Sequence, residues 1–152
     1  MSDVIKFPGN SHAARAPRVL IADDNKDTVL TLENILGDEG YAVRGLPDGS
    51  DVLRLLRDFD PDICILDIEM PGENGFALAR QLRSLRDGER PMLIAISGVW
   101  IRPSDRMLAI MVGFDHFFQK PAEPGELLKV LADFRAGRDA GSLDERVHIA
   151  RG

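Results

Sequence analysis

The chain has 152 residues, of which 44% are apolar and 29% charged, with a formal net charge of −6 at pH 7. That length suits one domain, and that balance is typical of a globular protein able to bury its own core. Acidity argues against a nucleic-acid surface, which needs clustered Lys and Arg, and the single cysteine, Cys64, excludes an internal disulfide.

Residues 1–17 read as a flexible extension, rich in Ala, Ser, Gly and Pro, with breakers at Pro8-Gly9 and Pro17. Their opening, "MSDVIKFPGN", lacks the apolar core of a signal peptide. Periodic structure begins at residue 18. "RVLIA" (18–22) predicts a buried strand ending in Asp23-Asp24-Asn25, where Asn25 or Asp24 can cap a helix. Over 28–40, Val29, Leu32, Ile35 and Leu36 share one helical face, and Gly37 or Gly40 can end it. A shorter strand follows at 41–46, then a helix over 48–59 behind a Ser/Asp start. "DICILD" (62–67) is the third strand, with Cys64 as a small buried residue. Residues 75–88 form a helix with Arg and Gln on its wet side, and "PMLIAIS" (91–97) is the fourth strand. Helix 104–113 takes Ser104 as its N-cap, strand 115–120 follows, and a helix over 123–137 closes the block. Residues 136–152 read as a solvated tail, with a short helix at 143–150 as the alternative. His12, His116 and His148 fit surface or loop positions. No apolar run approaches the ~18 residues of a membrane span, so a cytoplasmic protein with no membrane or nucleic-acid partner is expected.

Five strand–helix repeats with continuously apolar strands imply an α/β fold, a doubly wound five-stranded parallel sheet spanning 18–135. In such sheets ligands bind beyond the carboxyl ends of the strands. Strand 1 ends in Asp23 and Asp24, strand 3 in Asp67, strand 4 in Ser97 and strand 5 in Lys120. With sheet order 2-1-3-4-5 these groups converge at one edge. Each alone is an ordinary turn or capping residue; their joint occurrence is not.

Three converging carboxylates repel, so cations must accompany them. Lys120 supplies one charge, and the hard oxygens suit Mg²⁺ or Mn²⁺. A metal held by Asp24 and Asp67 normally works on a phosphate. Asp67 would then be the nucleophile, forming an acyl phosphate. Lys120 would hold one phosphoryl oxygen and Ser97 would donate a hydrogen bond to another.

The motifs "VLIADDN", "ILDIEMPGENG", "AISG" and "FFQKP" resemble those of response regulator receiver domains across the whole periodic block. The resemblance implies the flavodoxin-like (βα)5 fold, with Asp67 as phosphoacceptor. It implies metal ligation by Asp24 directly, by Asp23 through water and by the backbone carbonyl of Glu69. It makes Ser97 and Phe117 the switch residues and Lys120 the phosphate-binding lysine. It places the side chains of Glu69 and Val99 where relatives tune acyl-phosphate lifetime. A histidine kinase or histidine phosphotransfer protein would donate the phosphoryl group. The face of helix 4, strand 5 and helix 5 would change its preference for a downstream protein target, or for a second copy in a homodimer. Such a protein is not an enzyme on other substrates; it catalyses only its own phosphorylation and dephosphorylation. Two other readings are a phosphorylation-independent adaptor and a Mg²⁺-dependent aspartyl phosphatase. The latter carries its nucleophile on strand 1, unlike Asp67.

One loop departs from the pattern. "SGVWIRPS" (97–104) places Val99, Trp100 and Ile101 in a row where loops are normally polar. Trp100 either folds into the core or, with Ile101, anchors a partner. No sequence after 135 is long enough for an output module, so a stand-alone receiver or a fragment of a larger protein is expected.

Overall fold

The computed structural model describes residues 15–70, 73–85, 91–99 and 102–143. Consecutive apolar residues build its sheet. β1 (Arg18–Ala22), β3 (Ile63–Asp67) and β4 (Met92–Ser97) are buried almost throughout, as strands covered on both faces require. β2 (Ala42–Leu46) and β5 (His116–Gln119) are the edges and are more exposed. Every pairing is parallel, and the order is 2-1-3-4-5, as expected. A small antiparallel hairpin, Glu69–Met70 with Glu73–Asn74, follows β3 and was not foreseen.

Side chains alternate along a strand, so each central strand feeds two cores. Val19, Ile21, Ile63, Ile65, Ile94 and Ile96 pack with residues of α1 (Lys26–Asp38) and α5 (Pro124–Leu143). Leu20, Ala22, Cys64, Leu66, Leu93 and Ala95 pack with α2 (Val52–Asp58), α3 (Gly75–Leu85) and α4 (Pro103–Val112). Fully burying each Leu or Ile contributes roughly 1.5–3 kcal/mol, so the sheet's centre is rigid. No helix among the described residues is long and apolar enough to cross a membrane.

Local chemistry sets the helix ends. α1 starts two residues earlier than expected because the Asn25 side chain accepts from the amides of Asp27 and Thr28, at 2.9 and 3.2 Å. Gly40, at φ 93°, turns the chain after it, and the Tyr41 amide donates to the Leu36 carbonyl at 3.1 Å. Ser104 is not the cap of α4. Pro103 takes the first helical position, and the Arg102 amide donates to Asp105 Oδ2 at 3.1 Å.

The largest departure is α5, which runs to Leu143 instead of stopping at 137, so part of the expected tail is helical. A Cβ at Gly137 would meet nothing within 4 Å, so the glycine costs the helix only its own low propensity. Arg138 offsets that cost. Its side chain is only 12% exposed, lies 3.5 Å from Asp62 Oδ2 and donates to the Arg15 carbonyl at 3.3 Å. Asp62 is fully buried just before β3. It accepts the Arg18 amide at 2.9 Å and lies 3.7 Å from the Arg15 guanidinium. One carboxylate thus ties the entry to the sheet to the final helix. Removing it leaves buried cationic groups uncompensated. We expect Asp62→Ala to lower urea-unfolding stability by about 3 kcal/mol and to speed amide exchange in the last turns of α5. Asp133→Ala, which removes an exposed pair with Lys129, should change stability little.

Candidate phosphate and metal site

The carboxyl ends of β1, β3, β4 and β5 carry the site. Asp23 follows β1 and is fully buried, while its neighbour Asp24 is exposed. The Asp23 amide donates to the Leu46 carbonyl at 3.1 Å, and its Oδ1 accepts the Asn25 amide at 2.9 Å. Asp67 ends β3 at 3% exposure, and its Oδ1 accepts the Glu69 amide at 3.0 Å. Lys120 follows β5, and its amide is fixed to the Ser97 carbonyl at 2.7 Å. Its Nζ lies 2.9 Å from Asp23 Oδ2 and 3.3 Å from Asp67 Oδ2. Carboxylate oxygens of Asp23, Asp24 and Asp67 all lie within 4.8 Å of one another. Ser97 is buried at the end of β4, one residue beyond the Asp67–Ile96 register pair. The structure therefore gathers all five residues read from the strand ends.

Gly75 makes the placement of Asp67 sterically feasible. A Cβ there would stand 2.7 Å from Ile68 Cα and 3.1 Å from the Asp67 carbonyl oxygen. Only glycine lets α3 begin against the backbone that carries Asp67.

The electrostatics are unbalanced. Burial alone would lower the Lys120 pKa, but its hydrogen bond to Asp23, the Asp23 charge and then Asp67 outweigh this and hold it above the ordinary lysine value. Lys120 is therefore a permanent cation facing three carboxylates. Asp23 Oδ2 is buried and lies 2.9 Å from Lys120 Nζ, a cation that Asp23 shares with Asp67. Three carboxylates that share one lysine, all hard oxygen donors, fit a small divalent ion, Mg²⁺ or Mn²⁺, held by Asp23, Asp24 and Asp67 directly or through water.

The side chain of Glu69 has partners that the sequence reading did not identify. The Ser97 hydroxyl donates to Glu69 Oε2 at 2.5 Å, and the Gly98 amide donates to Glu69 Oε1 at 3.2 Å. The signal was available in register: Glu69 and Gly98 each lie just past the end of adjacent strands. Val99 is 51% exposed, and its carbonyl accepts from Gln119 Nε2 at 3.2 Å. Phe117 is half-buried against the core beneath α4, with the Arg106 guanidinium 4.9 Å from its ring centroid. Arg83, read as a wet-side residue of α3, instead clamps the carbonyls of Gly113 and Pro91 and the carboxylate of Asp115. Trp100, Ile101 and Pro71-Gly72 lie outside the described residues.

Residues 19–132 match the profile of the response regulator receiver domain family. An uncharacterized 14.6 kDa protein from Leptolyngbya boryana is 34% identical over 116 residues, covering 76% of this chain and 88% of the relative. The aerobic respiration control protein ArcA of Escherichia coli is 34% identical over 115 residues, covering 74% of this chain. The match spans 46% of ArcA, so this chain corresponds to about half of that relative. Among solved structures, the N-terminal domain of an uncharacterized Wolinella succinogenes protein aligns with TM-score 0.74 at 32% identity, covering 82% of this chain and 98% of that one. The Vibrio cholerae chemotaxis protein CheY4 aligns with TM-score 0.71 at 25% identity, covering 78% and 98%.

Lys120→Met should expose the charge imbalance. In chelator at neutral pH it should lower stability by about 2 kcal/mol, because two buried carboxylates lose their cation. A raised lysine pKa stabilises the fold below the unfolded value and loses that contribution as pH climbs through the folded value. The difference between wild type and Lys120→Met, followed by denaturant titration, should hold up to lysine's ordinary 10.5 and shrink above it.

Proposed function

Since this chain belongs to the response regulator receiver family, we propose that it is a phosphorylation-switched signalling protein whose acceptor is Asp67. One observation carries the reading: Asp23, Asp24 and Asp67 crowd within 4.8 Å, with Lys120 and the buried Ser97 at the same strand ends. The donor is a phosphohistidine on a histidine kinase or a histidine phosphotransfer protein. An Asp67 carboxylate oxygen attacks phosphorus, a P–O bond forms, and the P–N bond breaks with its electron pair leaving on the imidazole. Lys120 follows the charge from the Asp67 carboxylate to the phosphoryl oxygens, and the Ser97 hydroxyl donates to one of them. Bound by Asp23, Asp24, Asp67 and the Glu69 carbonyl, Mg²⁺ would neutralise charge on the attacking and transferring oxygens. The chain acts on its own acyl phosphate and on no other substrate.

The readout is the face of α4, β5 and α5. α4 exposes Met107, Ile110 and Met111 at 63%, 69% and 76%, an apolar stripe at i, i+3 and i+4. Such a stripe suits a downstream protein or a second copy of the chain. Arg106, on the same helix, stacks on Phe117. Inward rotation of Phe117 must break that stacking, so the ring and the helix respond together. Phosphorylation would then shift populations between two arrangements of this face. The setting we assign is the cytoplasm, where histidine kinase catalytic domains work.

Incubation with acetyl phosphate and Mg²⁺ should add one phosphoryl group by intact mass, and neither Asp67→Ala nor chelated wild type should gain it. Uptake that persists in Asp67→Ala would refute the acceptor; no uptake by wild type would favour the phosphorylation-independent adaptor. The double variant Ile110→Glu, Met111→Glu should take up phosphate normally. It should lose any phosphorylation-dependent change in sedimentation that wild type shows.

A further inference from the structure

We infer that Glu69 is a built-in occupant of the phosphoryl seat, a carboxylate that must withdraw before Asp67 can hold a phosphoryl group. The inference rests on the reading of Asp67 as acceptor and adds a gate to it. Two donors at the end of β4 face the site, the Ser97 hydroxyl and the Gly98 amide. Both are already bonded, to the two oxygens of one Glu69 carboxylate, at 2.5 and 3.2 Å. A two-oxygen anion spanning these donors presents the same chemistry as two oxygens of a phosphoryl group. Gly98 lies beside Lys120, since a Cβ there would stand in ordinary contact with Lys120 Cδ at 3.6 Å.

Glu69 reaches this position because its backbone is tethered. Its amide donates to Asp67 Oδ1 at 3.0 Å, and its pairing with Asn74 in the short hairpin fixes the strand that follows. The residue stays exposed, yet its carboxylate folds back onto Ser97 and Gly98. Before transfer, Glu69 satisfies Ser97 and Gly98. During transfer, the Asp67–phosphorus bond forms, the donor's bond to phosphorus breaks with its electron pair on the leaving group, and the new phosphoryl oxygens claim both donors. Glu69 is then displaced, carrying its charge out of the pocket. Its role is positioning: it sets how available Ser97 and Gly98 are, and touches no reacting bond.

The reach of Glu69, and not only its charge, is what matters. Glu69→Asp keeps the charge but is one methylene too short to span both donors. Glu69→Gln keeps the reach and loses the charge. With acetyl phosphate and Mg²⁺, the phosphorylation rate should rise about tenfold in both Glu69→Ala and Glu69→Asp, the factor one charge-assisted hydrogen bond carries. Glu69→Gln should fall between these and wild type. The Gly98 amide resonance, followed without any donor, should shift in the Ala and Asp variants. Charge repulsion alone would make Asp behave like wild type and Gln like Ala, and that pattern overturns the inference. So does an unmoved Gly98 resonance in both Ala and Asp. If no variant and no wild type takes up phosphoryl while the resonance still shifts, the Asp67 reading fails and the Glu69 contact stands on its own.

Discussion

Like-charge crowding at the carboxyl edge of the sheet is the constraint from which the rest of this molecule follows. Asp23 and Asp67 are almost wholly buried, Asp24 adjoins them, and Lys120 touches the two buried ones. Shielded from water, the buried pair Asp23 and Asp67 repels by kilocalories rather than tenths. The fold holds them there because the residues before them are anchored in apolar strands that cannot shift. Val19 to Ala22 and Ile63 to Leu66 are all fully buried. A parallel sheet with helices on both faces makes that rigidity available, and its strand order brings the loaded ends side by side.

The two ends of β3 show how differently one strand can surround its two aspartates. Asp62, just before the strand, meets a backbone amide and the guanidinium groups of Arg15 and Arg138. Its negative charge is well matched, and it fastens the final helix to the sheet. Asp67, at the other end of the same strand, shares one lysine with Asp23. Charge is balanced at one end and in positive deficit at the other. The deficit is what a divalent cation and a transferring phosphoryl group would use. Glu69 adds a fourth carboxylate nearby and holds it against Ser97 and Gly98.

The sheet and the site's main residues were legible in the sequence for a physical reason. Buried parallel strands are continuous apolar runs, and a charged residue at the end of one has few places to go. Asp23, Asp24, Asp67, Ser97 and Lys120, read off strand ends, accordingly lie together at the carboxyl edge of the sheet. Long-range polar contacts were not legible in the same way. The extension of α5 to Leu143 depends on Arg138 meeting Asp62, residues far apart in the chain. The helical propensity around Gly137 gives no hint of it. Ser104 looked like a cap because its side chain suits one, yet Pro103 and Asp105 set the start of α4. Arg83 read as solvated because helical periodicity cannot show which carbonyls lie within reach of a long side chain. Glu69 was identified as a tuning position, but its partners depend on register across β3 and β4.

The central claim is that this carboxylate cluster is short of positive charge and that a divalent cation supplies it. Thermal unfolding of wild type and Asp24→Asn, each in chelator and in excess Mg²⁺, tests it most directly. Asp24→Asn should unfold at a higher temperature than wild type in chelator, because one repulsive charge is gone. Mg²⁺ should raise the wild-type midpoint by several degrees and that of Asp24→Asn much less. A wild-type midpoint indifferent to Mg²⁺, or an equal rise in both proteins, would contradict it.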